Sequence, residues 1–271
     1  MEMTRAAMTI RPKTLSVHWP EVLMEALGLG LFMVSASVFG TIFEYPSSAV
    51  HLAVPNPFVR RALMGMAMGL TAIGLVYSPW GKRSGAHINP AFTLTLLRLG
   101  RVGRGDGAAY VVAQFIGGLA GTLLVAALVG DAFLAPPVMA VTTMPGPAGI
   151  GVAFGSELAI SFALVLTVLT LGRSPRWARY TGLFVGCLIC LYITLEAPLS
   201  GMSMNPARTI ASAIPARSWQ GVWVYFTAPL AGMLLASEVH IRLARSKRDG
   251  CAKIVHSFPC IFCGESSDRA S

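Results

Sequence analysis

The chain has 271 residues, 54% of them hydrophobic and only 12% charged, with a formal net charge of +9. A soluble domain carries about 25% charged residues, so this composition excludes a soluble globular protein and points to one that crosses a membrane several times. The surplus of Lys and Arg lies mostly beside apolar runs, which argues for membrane flanks and against a nucleic-acid partner.

Residues 1–19 form a polar leader with Arg5, Arg11 and Lys13. The apolar run at 20–43 is too long for a signal-peptide core and has no small-residue cleavage site, so it reads as a retained first span. Further runs follow at 62–78, 108–130, 150–171, 180–197 and 221–238. Each is close to the roughly 17–25 residues that cross a bilayer. Lys82, Arg83, Arg98, Arg101 and Arg104 flank the second and third runs, Arg173, Arg176 and Arg179 fill the link after the fourth, and Arg242, Arg245, Lys247 and Arg248 follow the sixth. The link at 131–149 carries none. Basic residues mark the cytoplasmic side, so the expectation is an integral, multi-pass protein of the plasma membrane with both termini inside. Arg60 and Arg61 are exceptions on the outer side.

Between spans two and three, Ser84-Gly85-Ala86-His87-Ile88-Asn89-Pro90-Ala91-Phe92-Thr93 begins a short apolar stretch, and Ser200-Gly201-Met202-Ser203-Met204-Asn205-Pro206-Ala207-Arg208-Thr209 repeats the pattern between spans five and six. Asn followed by Pro and Ala is a helix start, with the N-cap at Asn89 and Asn205 and Pro90 and Pro206 at the first helical position. The predicted helices, 89–99 and 205–214 before Pro215, rise about 15 Å, half of a hydrocarbon core. The chain thus divides into a leader, a first repeat at 20–130, an outer loop at 131–149, a second repeat at 150–242, and a basic tail at 243–271. Three crossings per repeat invert the second repeat relative to the first, an architecture of channels and transporters.

Glu25 in span one and Glu157 in span four each precede one copy of the motif. An ionisable group at this depth faces protein or water, and here it can accept the N–H groups of a re-entrant loop. The alternative is a Glu reaching the interface from a span end. In span three, Gln114, Gly117, Gly118 and Gly121 read as packing positions. Cys187 and Cys190 read as small hydrophobes.

Two opposed helix N-termini, each with an effective charge near +0.5, create a positive centre hostile to cations. Each Asn oxygen caps its own helix, leaving the side-chain NH₂ as a donor for a solute oxygen. The paired Asn-Pro-Ala motifs, the second followed by Arg208, resemble those of the major intrinsic protein family, the aquaporins and glycerol facilitators, and the resemblance covers about 20–242. It implies an all-α membrane fold of six transmembrane helices plus two re-entrant half-helices in an inverted 3+3 repeat. It also implies a pore in each protomer of a homotetramer within the lipid bilayer, no cofactor and no enzymatic activity. In that frame Glu25 and Glu157 match the glutamates that brace the loops. The narrowest point falls on Arg208, Met202, Ile193 and either Met68 or Gly69.

Markers of solute choice are mixed. His at the span-five position and an aromatic in span two, typical of strict water channels, are absent. Pro198 to Met204 looks like the glycerol-facilitator loop, whereas Thr209, Ala213 and Tyr225-Phe226 look like the water type. The expected function is a passive channel for water and small uncharged solutes that excludes protons and ions. The alternatives are a glycerol or small-polyol facilitator, or an ion-coupled transporter. Glu196, three residues after Ile193, is placed on the same helical face, where it would partly neutralise Arg208 in the outer vestibule. His87 is expected to support its loop. Cys251, His256, Cys260 and Cys263 have metal-ligand spacing, but one Cys-x-x-Cys pair with loose partners is expected to be a reduced, mobile tail without metal.

Overall fold

The computed structural model describes residues 17–244, 251–257 and 260–263. Arg5, Arg11, Lys13, Arg245, Lys247 and Arg248 lie outside the described residues. Within them the chain is helical and contains no strand.

Six helices are long and apolar enough to cross a membrane. They are α1 (Trp19–Glu44), α3 (Pro57–Tyr77), α6 (Arg104–Val129), α8 (Ile150–Leu171), α9 (Thr181–Leu195), whose span begins in the 3-10 turn Ala178–Tyr180 just before it, and α12 (Val222–Ala244), with short α2 (Ala49–Ala53), α4 (Pro79–Ser84), α7 (Asp131–Leu134) and α10 (Ala197–Ser200) in the connections. The half-helices are α5 (Pro90–Arg98) and α11 (Pro206–Ala216), of nine and eleven residues. The second outlasts its predicted end. Pro215 sits in its last turn, and Arg217 in the left-handed region ends it.

The spans pack in matching pairs: α1 against α6 in the first repeat, α8 against α12 in the second, and α3 against α9 across the two. Contact is close because small residues face each other. A Cβ on Gly117 would stand 2.0 Å from the backbone oxygen of Ala26. Gly117→Val is therefore expected to force α1 and α6 apart, at an overpacking cost of about 1–3 kcal/mol. A lowered thermal midpoint in detergent checks this, and an unchanged midpoint contradicts it.

The link at 131–149 is more than a surface connection. Phe133 and Ala140 are fully buried. Val141 packs into the notch at Gly40, and Gly146 N–H donates to Leu199 O at 2.9 Å. The segment is folded down onto the bundle because its apolar residues share a core with Val125 of α6.

Candidate functional site

The site starts from the two helix tips. Asn89 and Asn205 are both extended, and each Oδ1 accepts the N–H groups of the next helical residues: Ala91 at 2.9 Å and Phe92 at 3.4 Å, Ala207 at 3.1 Å and Arg208 at 3.2 Å. The other end of each amide reaches the opposite loop. Asn89 Nδ2 donates to Met204 O at 2.7 Å, and Asn205 Nδ2 donates to Ile88 O at 2.8 Å. The tips are clasped reciprocally, each Asn binding the carbonyl just ahead of the other. This corrects one expectation: the NH₂ groups are not left whole for a solute. One N–H of each is spent on the clasp, and one remains.

The loops that deliver these residues are strained at equivalent places. Ala86, Ile88, Met202 and Met204 have φ of 53°, 37°, 50° and 53°. Such conformations cost about 1–3 kcal/mol each and persist only where their surroundings impose them. Two fully buried glutamates provide that restraint. Glu25 accepts Ser84 Oγ (2.7 Å), His87 N (3.0 Å), Ile88 N (2.5 Å) and Gln114 Nε2 (2.8 Å). Glu157 accepts Ser200 Oγ (2.8 Å), Ser203 N (2.6 Å) and Met204 N (2.7 Å).

Sequence reasoning missed three supports. Gln114, read as a packing residue, bridges Glu25 and Thr93. Tyr110 OH donates to Ser84 O at 2.9 Å, and Tyr225 OH donates to Ser200 O at 2.5 Å. The signal was available, since each Tyr follows its loop Ser by nearly the same interval, 26 and 25 residues.

A cavity of roughly 350 Å³ runs past the clasp. Asn89, Asn205, Arg208, Met68, Met202 and Ile193 line it among mostly aliphatic neighbours. Met68, at 1% exposure, faces the cavity, whereas Gly69 lies against Gly186 of α9, where a Cβ would meet the Gly186 oxygen at 2.6 Å. Arg208 Nη1 donates to Ser212 Oγ at 3.4 Å. Glu196 keeps the helical backbone expected of it, in the right-handed region with its N–H donating to Tyr192 O at 2.8 Å. Helix α9 ends at Leu195, and Glu196 starts the turn into α10, buried and without an ion pair to Arg208.

The tail also departs from expectation. Its described residues are docked at the end of the bundle where α1 begins and α12 ends. Ile254 N–H donates to Gly85 O at 3.2 Å, Ser257 Oγ donates to Lys82 O at 2.9 Å, and His87 Nε2 lies 3.1 Å from Ala252 O. The other His87 nitrogen is 3.2 Å from Thr93 Oγ1. Phe262 stacks on the His87 ring at 5.8 Å. The ligand atoms of Cys251, His256, Cys260 and Cys263 all fall within 4.8 Å of one another.

The sequence profile of the family described as Major intrinsic protein matches residues 13–240. Curated relatives include the Probable aquaporin NIP7-1 of Arabidopsis thaliana, 30% identical over 208 residues covering 76% of this chain and 71% of the relative. Another is the Glycerol uptake facilitator protein-like 6 of Lactiplantibacillus plantarum, 32% identical over 177 residues covering 64% and 81%. Among solved structures, the aquaglyceroporin from Plasmodium falciparum shares the fold, with a TM-score of 0.68 at 19% identity over 83% of this chain and 96% of that one.

Proposed function

This chain belongs to the major intrinsic protein family of membrane channels, and from that premise we propose that it passes water and small uncharged solutes while refusing protons and ions. The observation that carries the proposal is the reciprocal clasp of Asn89 and Asn205 beside a cavity that also receives Arg208.

The two half-helices aim positive ends at one place, which repels cations. The remaining amide N–H of each Asn is a donor, so a water there offers its oxygen and turns its hydrogens outward. A chain of waters through the site then lacks the head-to-tail order that a moving proton needs. Arg208 adds a fixed charge and a fork of donors that select oxygen-bearing neutral solutes. A coupled transporter is disfavoured, because Glu25 and Glu157 are spent on loop N–H groups and do not line the cavity.

The second reading, a glycerol or small-polyol facilitator, draws support from Met68, Met202 and Ile193, which give the wall around Arg208 an apolar face. A relative named as a glycerol uptake facilitator points the same way. In this reading of the site, Met68, Met202, Ile193 and Arg208 form the selectivity filter. Homotetrameric assembly, a plasma-membrane location and cytoplasmic termini belong to the same proposal. Support comes from lipid-suited exposed residues such as Leu27, Leu70, Ile116 and Leu128 and from Lys82, Arg83, Arg98 and Arg179 at one end.

Proteoliposomes challenged side by side with osmolyte gradients test the choice. Water entry faster than in empty liposomes is expected, with hydrogen peroxide also passing. Glycerol influx above that of empty liposomes selects the facilitator reading, and no glycerol influx selects the water channel.

A further inference from the structure

We propose that Cys251, His256, Cys260 and Cys263 bind a zinc ion and that this ion holds the C-terminal tail as a plug over one mouth of the pore. The metal site stands on its own residues, and the plug rests on the channel reading above.

Three Cys and one His form a donor set of structural zinc sites, and such sites are tetrahedral. With bonds of about 2.3 Å to sulfur and about 2.0 Å to nitrogen, the edges of the tetrahedron are about 3.5–3.8 Å. Here Cys251 Sγ and Cys260 Sγ are 3.3 Å apart, and His256 Nε2 and Cys263 Sγ are 3.2 Å apart, with all four atoms inside 4.8 Å. Shifts of up to about one ångström bring the four atoms to those edges. Cys263 is exposed, giving the metal access from solvent.

What the cage encloses explains the plug. The segment between Cys251 and Cys260 contains the residues that enter the bundle. Ala252 is 2% exposed, and Ile254, at 9%, lines the pore cavity. Ile254 N–H is bonded to Gly85 O and the Ala252 carbonyl meets His87, so the plug sits on the loop that carries Asn89. Phe262, between two of the Cys ligands, stacks on His87 and lies edge-on to Tyr110. The described residues of this segment, 251–257 and 260–263, form no helix and no sizeable core of their own; ordering such a chain is costly, and four metal bonds offset that cost. Released from the metal, the tail loses the closure that positions Ile254.

The test uses the full-length chain, purified with reductant, stripped with chelator and titrated with zinc or with cobalt alone. One tightly bound metal per chain is expected, with the absorption of tetrahedral cobalt–thiolate. Cys260→Ser with Cys263→Ser is expected to lose the metal, and Cys187→Ser with Cys190→Ser in α9 to retain it. In proteoliposomes, chelation from both sides is expected to raise water permeability several-fold in the native chain and to leave the Cys260/Cys263 variant unchanged.

Failure of the native chain to hold stoichiometric metal overturns the site, as does recovery of a Cys251–Cys260 disulfide under reductant in place of metal. Metal bound with water flux above that of empty liposomes and equal before and after chelation overturns the plug. Stoichiometric metal in the native chain, with flux equal to empty liposomes both before and after chelation, leaves the metal site standing and overturns the channel reading instead.

Discussion

Glu157→Ala is expected to leave no folded channel. Its carboxylate receives Ser200 Oγ, Ser203 N and Met204 N, all in a fully buried setting. Removing the acceptor strands three donors where water does not replace it, at about 1–3 kcal/mol each. That sum is comparable to the whole stability of a typical domain, about 5–15 kcal/mol. It falls on a loop already strained at Met202 and Met204. Glu157→Gln is expected to be milder. Its single carbonyl oxygen still accepts one or two of the donors, while its NH₂ faces the remainder. Size exclusion in detergent, together with the thermal midpoint from Trp fluorescence, reads both variants. A Glu157→Ala protein with native elution and midpoint contradicts the bracing role.

Asn205→Asp is expected to turn an ion-tight pore into one that leaks cations. The substitution keeps an oxygen to cap Ala207 and Arg208, so α11 still begins in the same place. It replaces the donor that meets Ile88 O at 2.8 Å with a second oxygen, setting two acceptors against each other and opening the clasp. It also puts a full negative charge where two helix dipoles offer only positive ends. At about 4 Å and an effective dielectric of 20, one charge is worth about 4 kcal/mol to a passing cation, or two to three orders of magnitude in its barrier. Proton and potassium permeabilities of proteoliposomes well above those of the native protein are the expected result. Tightness equal to native, with water flux retained, contradicts the role given to the amide.

Much of this was legible in the residues because membrane constraints are severe. Length and hydropathy give the spans, since backbone polar groups in lipid must be satisfied inside a helix. Asn-Pro-Ala gives the half-helix starts for a local reason: the cap and the first-turn proline are set by neighbours in sequence. Glu25 and Glu157 stood out as charges in apolar runs.

What stayed hidden depends on contacts between distant parts. That Asn89 Nδ2 would reach Met204 O, 115 residues away, follows only from the pairing of the two repeats. Whether Met68 or Gly69 faces the pore was decided by the fit of Gly69 against Gly186, not by counting positions. Helical spacing kept Glu196 in register with Ile193, but spacing along α9 does not say how Arg208 of α11 directs its guanidinium, and no ion pair between them forms. The tail was expected to be mobile because its composition is polar, yet Ala252 and Ile254 are apolar enough to be buried once His87, Gly85 and Phe262 meet them.

The central claim, that two half-helix tips clasped through Asn89 and Asn205 make a passage for water but not for protons, is met most directly by one experiment. Osmotic shrinkage and internal pH are followed together in the same proteoliposomes, in the presence of chelator. The account predicts water permeability far above that of empty liposomes with a low activation energy, and proton permeability equal to theirs. Shrinkage no faster than in empty liposomes, or a proton flux that rises in step with the water, would contradict it.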